Sequence, residues 1–197
     1  MPRRWTGAVA AAAACAMAAG GLLPGPAAAD PDQSPPPLPG FTPAPSDWSP
    51  HTDFWPYNTF TYQVTPEMVS GMSDSCQWFN AQFDPLMGRI NDVNHNLADR
   101  HDAYAGVQSQ ADAVVADIDR STGFLGPRLQ PLTIRNTPDN YGPYSPIYGG
   151  EQLTGVLFQL SRIAESMRNK QPSGFTRPHI DSAAGWGNAL RQSGACT

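Results

Sequence analysis

Apolar positions recur at helical spacing in three stretches of the chain, and more weakly in a fourth. The first holds Met68, Met72, Cys76, Phe79 and Phe83, spaced four, four, three and four residues apart on one apolar face. It follows Thr65-Pro66-Glu67, an N-cap, a proline suited to the first helical position and an acid that favours the helix dipole. Asp84-Pro85 repeats that start signal. Beyond it Leu86, Ile90, Val93, Leu97, Arg100, Tyr104, Val107, Ala111, Val114 and Ile118 alternate four and three apart, with Arg100 the one position that is neither apolar nor aromatic. No proline interrupts Leu86 to Gly126, so the pattern predicts one very long helix over about 85–120, roughly 50 Å at 1.5 Å per residue. A sustained seven-residue repeat calls for a partner helix packed at a shallow angle.

The third stretch, about Glu151 to Asn169, buries Leu153, Val156, Leu157, Leu160, Ile163, Ala164 and Met167 and is stopped by Pro172 and Gly174. The fourth, Ile180 to Gln192, places Ala183, Ala184, Gly187 and Leu190 on one side, and Gly185 and Gly187 weaken it as a helix. Between these segments the pattern fails. Residues 31–50 contain eight prolines, a density that excludes helix and central strand and predicts an extended, polyproline-like leader. Trp48, Phe54, Trp55, Tyr57, Phe60 and Tyr62 then crowd in. Disordered linkers are poor in aromatics, so Trp48 to Val64 is expected to lie down on the bundle, the alternative being a docking surface for a partner. Residues 121–150, with five prolines and three tyrosines, read as a long irregular loop. The fold class is all-α: an antiparallel helical bundle or hairpin with one very long helix, a Pro/aromatic-rich extended N-terminal segment and one disulfide.

The first 29 residues stand outside that bundle. Arg3-Arg4, a short apolar run and Ala27 and Ala29 before Asp30 read as a signal peptide, and the arginine pair also permits twin-arginine export. Cys15 is a candidate lipid-attachment cysteine without the leucine that should precede it. The expected organisation is therefore a signal peptide at 1–29, a Pro-rich extended or disordered leader at 30–47, and a single helical domain at 48–197 containing the irregular loop 121–150. Removing Arg3 and Arg4 leaves ten basic residues against seventeen acidic ones, a net charge of −7, with Lys170 the one lysine. Phosphate contacts and anionic lipid both require clustered Lys/Arg, so nucleic-acid binding and electrostatic membrane attachment are not expected. Cys76 and Cys196 remain after cleavage, an even count that in an exported chain reads as a disulfide.

Candidate chemistry is sparse. Asp92, His95, Asp99 and Asp102 share one side of the predicted long helix, and a cation could bridge Asp92, His95 and Asp99. A solvated charged face is the simpler reading of the same spacing. His101 and Arg100 beside the seam suggest a buried polar contact that sets register. Gly149-Gly150 before Glu151 reads as a hinge, or as a helix N-terminus open to an anion. Nucleophile elbow, zincin, P-loop and C-x-x-C patterns are missing, and no cofactor is implied. Tyr141, Tyr144 and Tyr148, with Trp48 and Trp55, are the candidate ligand- or partner-binding rings, unless they serve to fasten the loop and leader to the bundle. The sequence thus points to an exported non-catalytic binding or accessory protein of the cell envelope or extracellular space. The alternatives are a carrier of a small apolar ligand such as a lipid, and, more remotely, a hydrolase using the Asp/His face.

Overall fold

The long helix exists, but it starts twenty residues earlier than the periodicity suggested. A computed structural model describes residues 34–133 and 144–197. In it α2 (Pro66–Trp78) runs through a π-helical turn, Phe79–Phe83, straight into α3 (Asp84–Asp99), one helix of 34 residues. Thr65 caps its start, its hydroxyl accepting from the Met68 N–H at 3.3 Å. Asp84-Pro85 is not a break. Proline removes one backbone bond and crowds the preceding turn, and the wider turn just before it makes the room a regular α-turn lacks.

The long helix ends at Asp99 instead of passing through to 120. The Asp102 N–H returns to the Leu97 carbonyl at 2.9 Å and the His101 N–H to Ala98 at 3.0 Å, the two bonds of a Schellman stop. His101 (φ 55°) and Asp102 (φ 63°) take the left-handed conformation that this motif usually assigns to glycine. The chain reverses, and α4 (Gln108–Leu129) runs back. All nine apolar or aromatic residues of the seam are buried, now on two antiparallel segments that face each other. Helix α4 also continues past 121, through Pro127 in its last turn and a 3-10 turn at Gln130–Leu132, so the irregular stretch opens only at 133. Helices α5 (Gly150–Arg168) and α6 (Ser173–Ser193) complete the set. A short helix, α1 (Tyr57–Phe60), precedes the bundle.

Helix α4 packs on α2, α3 and α5, α5 on α6, and α6 back on α3, which closes an antiparallel four-membered ring with the long helix as one member. No strand occurs among the described residues. Two close approaches need glycine. A Cβ on Gly71 would run into the Arg128 backbone carbonyl, so glycine lets α2 and α4 touch. At Gly187 it would meet the Phe83 ring (2.5 Å to Cε1), so a residue that weakens α6 as an isolated helix is what seats α6 on the long one. Cys76 and Cys196 are joined, with Cα atoms 4.9 Å apart and a sequence separation of 120. Closing a loop of that length constrains the unfolded chain by about 4–5 kcal/mol in the chain-entropy account.

The proline-rich leader lies along the helices without regular structure over 34–50. Its hold is polar and specific. The Leu38 N–H donates to Asp117 Oδ1 (3.1 Å), and Ala44 exchanges two bonds with the Gln77 amide (2.9 and 3.0 Å). The Trp48 indole N–H donates to the Ala195 carbonyl (2.9 Å). Asp117 is 1 % exposed and pairs with Arg89 and Arg120, while Arg89 also donates to the Pro36 carbonyl. A buried carboxylate is tolerable only with its charge and lone pairs satisfied, and here the leader supplies part of that satisfaction.

Asp117→Ala leaves Arg89 uncompensated in a partly buried position and should destabilise by about 3–5 kcal/mol, with residues 34–47 becoming cleavable by protease before the helices are. Equal protection of the leader in wild type and variant would contradict the latch. Gly71→Ala should lower stability by about 1–3 kcal/mol in denaturant unfolding. Gly88→Ala, where nothing stands within 4 Å of the new methyl, should leave it unchanged or raise it by about 0.5–1 kcal/mol.

Candidate functional site

The proposed acidic–histidine face resolves into a single solvated pair. His95 Nε2 stands 3.3 Å from Asp99 Oδ2, one helical turn apart, with the side chains 77 % and 65 % exposed. Asp92 is exposed on the same helix but does not join them, and among the described residues no group of three or more His, Cys, Asp or Glu side chains converges to hold a metal ion. Asp102 leaves that face altogether. In its left-handed position it reaches the start of α6 and accepts the Ser173 N–H at 2.8 Å, and Ser173, through its hydroxyl first and this N–H second, holds the Asp102 carboxyl below its ordinary range. Asp102 thereby caps a helix far away in sequence, occupying one of the orphan donors at its N-terminus. Arg100 and His101 form the reversal itself rather than a register-setting contact inside a helix.

The aromatic candidates are brought together, at the end of the bundle where α2 and α5 begin and α4 and α6 finish. Phe54 and Tyr57, just before and at the start of α1, meet Tyr148 edge-on, with ring centroids 4.6 and 5.2 Å from it and 5.6 Å from each other. Phe60 lies 4.8 Å from Tyr144. The Tyr144 hydroxyl donates to Gln63 Oε1 (2.6 Å), whose amide donates to the Tyr62 hydroxyl (2.8 Å), so one glutamine side chain joins two tyrosines from distant segments. Edge-to-face pairs of this kind contribute about 0.5–1.5 kcal/mol each beyond their burial. Tyr141 lies outside the described residues, as do the signal-peptide segment 1–29 and Cys15.

The rings divide into an anchored set and a presented set. Tyr57 is buried, Tyr148 packs against the core, and Trp48 is tied to Ala195. Trp55 and Tyr62 are 77 % and 76 % exposed, and Phe54 is 41 % exposed. Residues without any signature in the one-dimensional pattern hold this arrangement. Glu151, in the first turn of α5, accepts the Ser145 N–H through Oε1 (3.1 Å) and the Tyr57 hydroxyl through Oε2 (3.4 Å). Its carboxylate therefore already stands at the α5 N-terminus, where an outside anion was considered. Burial, reinforced by the Glu151 carboxylate and then by Tyr148, pushes the Tyr57 phenol up to about 12. The Arg128 guanidinium sits 3.8 Å over the Phe124 ring and donates to Asp74 (2.9 Å), and Phe124 meets Phe41 of the leader edge-on at 5.2 Å.

No helix among the described residues is long and apolar enough to cross a membrane. The chain matches no known protein family, no curated protein and no solved structure. What the arrangement offers is a fixed platform of rings carrying projecting aromatic side chains.

The Tyr57 environment has a measurable consequence. Below pH 10 the phenol is neutral in both folded and unfolded chains, so its contribution is constant. Above pH 10 the unfolded chain ionises first, and stability falls as pH rises toward about 12. Of the six tyrosines, Tyr57 should contribute the last phenolate absorbance to appear, and Tyr57→Phe should remove that phase and flatten the loss of stability. An unchanged alkaline limb in the variant would show that Tyr57 is not held as described.

Proposed function

We propose that this is an exported, non-catalytic binding protein, working in an accessory role in the cell envelope or extracellular space through the aromatic end of its bundle. The observation that carries the reading is the pairing of anchored and presented rings. Phe54, Tyr57 and Tyr148 are fixed by mutual edge contacts and by Glu151, and Trp55 and Tyr62 project from that platform into solvent. Large aromatic side chains left uncovered on a fixed base have the character of interface anchors, because they present ring area that a partner can bury. Export is supported by Arg3-Arg4, the apolar run and the small residues before Asp30, and by a disulfide suited to an oxidising compartment. The −7 charge of the chain after cleavage favours a protein or glycan partner over nucleic acid or anionic lipid.

The alternative, a carrier holding a small apolar ligand between the helices, has less in its favour. Trp78, Met72, Leu86, Ile90, Leu125 and Leu160 fill the interior. The grooves of about 510–530 Å³ open at the surface, beside the leader.

A photo-crosslinking residue placed at Trp55 should capture a defined envelope or secreted partner in the native host, whereas the same residue at exposed Lys170, at the opposite end of α5, should not. The Trp55→Ala/Tyr62→Ala double variant should lose that partner while changing stability by no more than about 0.5 kcal/mol. Undiminished capture by the double variant would remove the aromatic end from the function.

A further inference from the structure

We propose that a second surface groove, separate from the projecting Trp55 and Tyr62, binds a neutral sugar ring. The groove has a volume of about 530 Å³ and runs between the leader and the first turns of α2. Its apolar side is made by Trp48, Val64 and Val69, and its polar side by Ser70, Ser73 and Asp74, which follow one another along little more than one turn of α2.

Three observations give this groove the chemistry of a site. First, Trp48 is immobilised: its one polar atom is spent on the Ala195 carbonyl at 2.9 Å, so what remains of the indole is apolar surface held in a fixed orientation. Second, Ser73 is only 8 % exposed, yet its hydroxyl makes no bond among the described hydrogen bonds. A serine inside a helix ordinarily turns back to the carbonyl four residues earlier, as Ser75 does to Gly71 (2.7 Å) and Ser161 to Leu157 (3.0 Å). Ser73 Oγ is not one of the fully enclosed unpartnered atoms, which among the described residues are Asn94 Oδ1, Gln152 Oε1 and Thr176 Oγ1, so the hydroxyl opens onto the groove it lines and is free to meet a ligand there. Third, Asp74 gives Oδ2 to Arg128 (2.9 Å) and leaves Oδ1 uncommitted, so a carboxylate acceptor of nearly compensated charge stands beside the free serine.

The ligand class follows from those three groups. A purely apolar molecule would leave Ser73 and Asp74 unpaired. An anion would meet the Asp74 carboxylate, and a cation would find that carboxylate's charge already answered by Arg128. A pyranose ring satisfies all of them. One face presents C–H groups to the indole and the valines, and its rim presents hydroxyls that donate to Asp74 and both donate to and accept from Ser73 and Ser70. The volume lies within the range of small-ligand sites and admits one or two rings. The inference stands whether or not the projecting rings dock a partner.

The test uses the oxidised protein with its disulfide intact, titrated with glucose, mannose, galactose, N-acetylglucosamine and their linear trimers, and followed by saturation-transfer NMR and calorimetry. At least one of these should bind in the millimolar range or tighter, with saturation reaching the ring C–H protons. Ser73→Ala and Asp74→Asn, neither of which removes a core side chain, should each weaken binding about five- to tenfold. Trp48→Leu should abolish it while Trp55→Ala leaves it unchanged. Failure of every sugar to bind at about 50 mM, wild-type affinity in the two polar variants, or loss of binding in Trp55→Ala would each overturn the proposal.

Discussion

The C-terminal tripeptide is the point on which the arrangement of the other segments depends. Cys196 is bonded to Cys76 in the last turn of α2, and that bond fixes the Ala195 carbonyl where the Trp48 indole reaches it. The Asn80 amide donates to the Cys196 carbonyl at 3.0 Å. Gly149, at φ 89°, turns into α5 so close to Ala195 that a Cβ there would stand 2.6 Å from the alanine methyl. The leader, the middle of the long helix, the entry to α5 and the exit of α6 are thus registered against one another at a single place. Without that clasp, α6 would still have its apolar face, but the leader would lose the carbonyl that holds Trp48, and the groove would lose a wall.

Helix faces were legible in the sequence, and helix ends only where a capping or breaking residue marked them. The apolar face of α5 and both its limits could be read from periodicity and from Pro172 and Gly174, and the two remaining cysteines implied their own pairing. The stop at Asp99 was hidden because His101 occupies the left-handed position where glycine would have announced it. Lys170 does the same at the end of α5, with the Gln171 N–H returning to Ser166, and there the following proline exposed the boundary anyway. Asp84-Pro85 misled in the opposite direction, because the π-turn just before it lets the helix run on through the proline. A seven-residue repeat continuing across a reversal is equally compatible with one long helix or with two antiparallel ones, since each side of the turn must bury its own stripe.

The candidate site was legible as a set of ring types and not as a place. The aromatic residues of the leader and of the segment before α5 could be named, but their meeting depends on how far the leader travels along the bundle. That path is set by Asp117, Gln77 and Ala195, which carry no signature in one dimension. Asp117 sits beside Val114 and Ile118 as a lone acid next to an apolar face, a spacing that reads as ordinary solvent exposure until the structure shows it buried. The unbonded hydroxyl of Ser73 is likewise invisible in sequence, because whether a helical serine turns inward is a matter of rotamer.

The Trp48–Ala195 bond joins two residues 147 positions apart, nearly the full length of the described chain. In a polypeptide made N-terminus first, the proline-rich strap precedes its anchor by nearly the whole described fold. Until Ala195 is made and the neighbouring Cys196 has closed on Cys76, Trp48 lacks the carbonyl that holds it, so the strap is made first and fastened last.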